Sequence, residues 1–219
     1  MAIPEGLSFD ELNKLYKKEH GDNLRALPYE QYFGEMDLSA EQKERRIRTA
    51  KEVEKFTLYA LMSMYYLRDG GYDYGPVGTE MADYYNSMLE EMAIPLTGFF
   101  AAMHVQDTVN EIISATLNNP DDPYFFSEDR AMVIAENEAN SIWDDSEYQD
   151  ALMTGKTSKR WVAILDKVTR DTHRDVNGVV VPIDQPFYVG DSLLMFPHDA
   201  SMGAGAEELV NCRCSVIYT

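Results

Sequence analysis

The chain has 219 residues, 45% of them hydrophobic and 11% aromatic, a composition that buries a core and excludes a disordered tail. Its formal charge of -19 lies almost wholly before Lys156: residues 156–219 carry seven Lys/Arg against eight Asp/Glu, a net of -1, which leaves -18 for residues 1–155. Between Gly70 and Gly155 stand 17 acids and one base, Arg130. Such a stretch repels phosphate, so no direct nucleic-acid binding is expected from it; the acids read as a solvated face or as a docking surface for a basic protein.

The first two thirds read as helices. "SFDELNKLYKKEHG" opens with Ser8 and Glu11 at capping-box spacing and stops at Gly21. "SAEQ" repeats the box at Ser39 and Gln42, and predicts a helix running to Arg68, where Asp69-Gly70-Gly71 ends it. Along it Ile47, Ala50, Val53, Phe56 or Thr57, Ala60, Met64 and Leu67 form one apolar stripe at steps of three and four, read as packing against other helices. Two more helices are predicted over Thr79–Met92 and Leu96–Leu117, split at Pro95; His104 in the second reads as a structural residue. "NNPDDPYF" marks a boundary, and a broken helix follows from Ser127 toward Gly155.

The pattern changes at Lys156. "RWVAILDK", "GVVVPID", "FYVG", "SLLMF" and "CSVIYT" are short β-branched or aromatic runs separated by turn residues, and "VNGV" at 176–179 reads as a hairpin turn. The class is therefore α+β: residues 1–120 as a mainly helical region, then residues 127–219 as a module of one helix and a small β-sheet. The longest apolar stretches, such as Phe56–Leu67, are too short and polar to span a bilayer. No basic segment precedes an apolar run at the N-terminus, so neither a signal peptide nor a membrane role is expected, and the setting is a reducing cytosol.

Polar residues cluster in the last third: Trp161, Asp166, Thr169, Arg170, His173, Asp175, then Pro197 and Asp199, then "NCRC" at 211–214. A Cys212–Cys214 disulfide would close a very small strained ring in a compartment that keeps thiols reduced. Three readings remain. His173, Cys212 and Cys214, joined by Asp166 or His198, are ligand types for zinc, and a small module gains from a metal staple. Cys212 or Cys214 with His173 and an orienting Asp166 is the residue set of a thiol nucleophile. The third reading explains most with least: in a strand Cys212 and Cys214 point inward as packing, while Arg213 reaches Asp166, Asp175 or Asp199 as a forked ion pair and Trp161 closes the core. Trp161, Asp166, Arg170, His173, Asp175, Asp199 and Arg213 then form a structural polar network, with no catalytic residue and no cofactor.

The run from Lys159 to Tyr218 resembles the C-terminal domain of the phage Mu F-like minor head or head-morphogenesis proteins. The matching pieces are Lys159-x-Trp161, Asp166 four residues before Arg170-x-x-His173, the Gly178 turn, the "FYVG" strand, Pro197-x-Asp199 and the terminal Asn211-Cys212-Arg213-Cys214. Arg130, Ala131, Ile134, Ala135 and Glu138 match the family's preceding helix, so the likeness covers about residues 127–218. Many members carry Cys-x-x-Cys where this chain has Arg170-x-x-His173, and a His before the last cysteines that "FPHDAS" does not clearly reproduce. The resemblance implies a non-enzymatic minor capsid protein acting in head assembly at the portal or the inner capsid face. Its expected partners are portal, major capsid or scaffold proteins, and its expected location is the virion, with the host cytoplasm during assembly. A thiol- or transferase-type enzyme and a zinc-stapled interaction module are the rival readings.

Overall fold

The computed structural model describes residues 26–68, 73–92, 94 and 98–219, together with Glu11, Lys14, Leu15, Lys17 and Lys18. The helix expected from Ser8 to Gly21 therefore lies largely outside the described residues. Five helices dominate: α1 (Tyr29–Gly34), α2 (Ala40–Leu67), α3 (Gly75–Glu91), α4 (Gly98–Asn118) and, after a 3-10 turn at Pro123–Phe126, α5 (Glu128–Met153). Small elements follow: β1 (Ser158–Val162), α6 (Asp171–Asp175), β2 (Val180–Pro182), β3 (Phe187–Val189), β4 (Ser192–Leu194), α7 (Ala206–Leu209) and β5 (Ser215–Tyr218). The α+β class holds, and no described helix is long and apolar enough to cross a membrane.

Local chemistry explains where helices begin. At α2 the Gln42 side chain accepts from the Ser39 amide at 2.9 Å while Ser39 Oγ accepts from the Gln42 amide at 3.2 Å, so two orphan donors of the first turn are satisfied reciprocally. At α5, Ser127 Oγ accepts from the Arg130 amide. The break expected within α5 does not occur: from 128 to 153 the sequence holds neither Pro nor Gly, and nothing interrupts the hydrogen-bond ladder. Helix α3 starts four residues before the expected Thr79, because Asp73 Oδ1 accepts the Gly75 amide and Pro76 occupies the first turn.

The chain divides into two compact units, each discontinuous in sequence: Met1–Ala26 with Lys51–Ala135, and Leu27–Ala50 with Glu136–Thr219. A single cut between 120 and 127 does not describe this division, since residues 27–50 go with the C-terminal stretch. The first unit is helical and its core is apolar. The expected α2 stripe starts in the other unit, with half-buried Ile47 and buried Ala50, and lies here from Val53 onward, buried at Val53, Phe56, Thr57, Ala60, Met64 and Leu67; Val77, Met81, Tyr85 and Met88 of α3 and Val105, Val109 and Ile112 of α4 join it. Helices α3 and α4 approach closely at Gly78, where an added Cβ would lie 2.7 Å from Ile113 Cδ1. Arg130 fastens the end of α4, donating to Ile112 O at 3.1 Å and Thr116 Oγ1 at 2.6 Å. His104 meets the Tyr85 hydroxyl at 3.4 Å, consistent with its structural reading.

The second unit holds the five strands found among the described residues. Strand β1 is the centre of an antiparallel sheet ordered β2-β1-β5, with Arg160 opposite both Val180 and Ile217. Strands β3 and β4 form a separate hairpin around Gly190, whose φ of 57° suits glycine. "VNGV" is not a hairpin turn: residues 171–175 are the short helix α6, and Gly178, at φ 80°, carries the exit from it while its amide donates to Trp161 O. The sequence shows Asn-Gly tolerating positive φ, but helix ends use that tolerance as hairpins do. Trp161, Val176, Phe187, Val189, Leu194, Cys212 and Cys214 make one buried cluster here.

Candidate functional site

Both cysteines are free thiols, about 2% exposed. The expectation that they sit in a strand is corrected, because β5 begins only at Ser215. They face inward by a turn: Asn211 adopts φ 58°, the Cys212 amide donates to Leu209 O, and the Cys214 amide donates to Cys212 Sγ at 3.4 Å. Ser215, the first residue of β5, is buried and donates to Asp37 O.

His173 of α6 faces the two sulfurs. Its Nδ1 lies 3.3 Å from Cys214 Sγ and 3.5 Å from Cys212 Sγ, and its Nε2 lies 2.9 Å from Glu208 Oε2. Thr172 donates to the same Glu208 oxygen at 2.9 Å. Gly190 makes room for this carboxylate, since a Cβ there would meet Glu208 Oε1 and Thr172 Cγ2 at 2.9 Å. Trp161 stands edge-on to His173, centroids 5.8 Å apart, and Phe187 edge-on to Trp161 at 5.2 Å. Burial opposes a charged His173, but contact with Cys212 and the Glu208 carboxylate outweighs it and raises the imidazole above its usual value. Burial pushes the Cys212 thiol up to about 11, so the metal-free sulfur is no ready nucleophile. One ring nitrogen and two sulfurs thus lie mutually within 4.8 Å, a set able to hold a metal ion. Glu208, on a four-residue helix, has no sequence signal that distinguishes it from Glu207.

A second cluster, unforeseen except for His198, closes on itself through side chains far apart in sequence. Arg46 Nε donates to Asn140 Oδ1 at 3.2 Å, Asn140 Nδ2 to the Tyr32 hydroxyl at 3.4 Å, and that hydroxyl to Cys212 O at 2.8 Å. His198 Nε2 meets the same carbonyl at 2.8 Å and its Nδ1 meets Asp144 Oδ2 at 2.9 Å; Asp144 Oδ1 accepts from Arg46 at 2.7 Å, completing the ring. Both His198 nitrogens face pure acceptors, so both carry protons and the ring is an imidazolium. Its pKa moves accordingly: burial works against the charge, yet Cys212 and Asp144 raise it to about 10. Arg46 is fully buried and also donates to Glu147 at 2.7 Å. Its guanidinium stays charged, because the Asp144 and Glu147 carboxylates offset a large desolvation cost.

The expected network is only partly assembled. Arg213 does fork, to Asp166 and also to Glu35. Burial disfavours the Asp166 anion, but bonds from Arg213, Thr169 and the Val168 amide together outweigh it and hold its carboxyl at about 2. Arg170 goes instead to Val210 O. Asp199 accepts the Met195 and Ser201 amides at 2.8 and 2.9 Å, shaping its own loop, and Asp175 is exposed at the end of α6. Lys159, read only as a motif residue, is fully buried. Its ammonium donates to Met195 O at 2.7 Å and sits 4.9 and 5.3 Å over the rings of Tyr148 and Phe187, and burial pulls it down to about 8.

The sequence model of the family described as "Phage Mu protein F like protein" matches residues 103–217, just over half the chain. The match starts inside α4, ahead of the Ser127 at which the resemblance in the sequence began. A curated protein, the NAD(+)--arginine ADP-ribosyltransferase EFV of Enterococcus faecalis, is 35% identical over 92 residues. That segment is 40% of this chain and 18% of that protein, so the chain spans under a fifth of the relative's length. No solved structure matches.

Proposed function

We infer the role from one premise: the chain belongs to the phage Mu protein F like family. Membership points to a structural part in phage head morphogenesis. Our finer reading is that the protein is a minor capsid component that binds portal, major capsid or scaffold proteins at the portal vertex or the inner capsid face. It would join the head in the host cytoplasm and remain in the virion. The observation that carries this reading is the family match, which runs from within α4 through α5 and β1 to β4 into β5. Two features support it: in the second unit Arg46, Asp144, Glu147 and His198 are consumed by one another, as in a rigid part, and the acid-rich stretch between Gly70 and Gly155 suits a basic protein surface better than a nucleic acid.

A thiol-enzyme reading has one observation in its favour, the line Cys214–His173–Glu208, whose order is that of a nucleophile, base and orienting acid. Against it stand sulfurs sealed from solvent and a Cys212 thiol pushed to about 11. The transferase name of the relative belongs to a protein of which the shared segment is a small part. To test the assembly reading, the gene is deleted from a phage that carries it and the lysate is viewed by electron microscopy, with mass spectrometry of complemented virions. The expected result is defective heads without the gene and the protein present in restored virions. Normal, infectious heads from the deletion would overturn it.

A further inference from the structure

We propose that His173, Cys212 and Cys214 bind one zinc ion, a structural staple that is independent of the assembly reading. The argument begins with the imidazole. Its Nε2 lies 2.9 Å from a carboxylate that itself accepts from Thr172, so Nε2 carries a proton, and once metal binding displaces the other proton Nδ1 presents a lone pair. That lone pair is aimed at two sulfurs at once, 3.3 and 3.5 Å away. A single lone pair satisfies one S–H donor and leaves the other thiol unanswered. One electrophile between the three atoms satisfies all of them.

The distances fit such an ion. Tetrahedral zinc with its usual Zn–N and Zn–S lengths holds an imidazole nitrogen and a thiolate sulfur about 3.6 Å apart, close to both separations here. The surroundings are those of a zinc site as well. A carboxylate on the far nitrogen of the ligating histidine fixes ring orientation and strengthens the ligand, which is the place of Glu208. The Cys214 amide directed at Cys212 Sγ is a donor suited to a thiolate. Trp161, packed edge-on to the imidazole, has a buried indole N–H with no acceptor among the described residues. Two thiolates and an imidazole select a soft or borderline cation over magnesium or calcium. The three protein ligands leave a fourth position for water or another small ligand. The gain is local: β2, β3 and β4 have three residues each, and an ion tying α6 to the approach of β5 joins elements too short to hold one another.

The test uses the full chain, purified in reductant without chelator from cells grown with added zinc. Elemental analysis should give about one zinc per chain, and cobalt(II) exchanged into the chelator-treated protein should show sulfur-to-cobalt charge-transfer absorption. The Cys212→Ser, Cys214→Ser double variant should lose the metal. To separate loss of metal from loss of fold, Glu208→Gln is the second: it keeps every ligand and should weaken zinc affinity roughly 10- to 100-fold. A folded, reduced wild-type protein that takes up neither ion overturns the proposal, as does undiminished zinc in the double variant.

Discussion

The two compact units are stabilised by different chemistry. In Lys51–Ala135 the buried side chains are mostly Met, Leu, Val and aromatics, and the buried cation, Arg130, is satisfied by helix carbonyls and a threonine. In Leu27–Ala50 with Glu136–Thr219 the interior holds Arg46, Asp144, Lys159, His173, His198 and Glu208 as well. An apolar interior is held by area and shape and tolerates substitution that keeps volume. A buried ring of charges is held by geometry, and removing one member strands the others. Both tryptophans, Trp143 and Trp161, lie in the second unit, so their fluorescence reports it selectively while far-ultraviolet circular dichroism is dominated by the helices.

The sharpest break should come at Arg46. Arg46→Ala removes the buried cation that Asp144 and Glu147 share, leaving Asp144 only His198 and Glu147 only Arg45 among the described residues, and is expected to cost about 3–5 kcal/mol, seen as an early fluorescence midpoint in urea. Next, in the helical unit, Gly78→Ala drives a methyl against Ile113 and should cost about 1–3 kcal/mol, read by circular dichroism with the fluorescence transition unmoved. Met88→Leu in the same core should cost less than about 1.5 kcal/mol, since a flexible thioether is replaced at nearly equal volume; a loss as large as that of Arg46→Ala would erase the contrast between the units.

The smallest effect belongs to the Arg213 fork, which is partly solvated. Arg213→Ala should cost no more than about 1 kcal/mol near neutral pH. The pH dependence has a definite sign. Asp166 titrates at about 2 when folded against an ordinary 3.8, so its contribution is present above about 4 and is lost as pH falls from there toward 2. Asp166→Asn should remove that part of the acid limb, measured as the midpoint difference between pH 5 and pH 3.

Much of the helical architecture was legible because its signals are local. Ser39 and Gln42 cap α2 three residues apart, and the α2 stripe needs only the periodicity of one helix. The five strand runs were legible as short β-branched segments between turns. What misled was local too: Asn177-Gly178 is a permissive pair that ends α6 here, and the Cys-x-Cys spacing suggested strand alternation where a left-handed Asn211 does the work. In the candidate site, the pairing of Arg213 with Asp166 was foreseen, but Glu35 as its second partner was not, being 178 residues away.

The sequence by itself determined the helical and β-rich stretches, the family, and the residue types gathered at the C-terminal end. Only the tertiary structure decided that His173 faces both sulfurs with Glu208 behind it, and that Arg46, Asp144, Tyr32 and His198 meet around the Cys212 carbonyl. The reason is range. Helix caps and apolar periods are written within a few residues, whereas Arg46 and Asp144 meet across 98 positions, and a buried charge finds its partner only after the chain has folded both into the same low-dielectric interior.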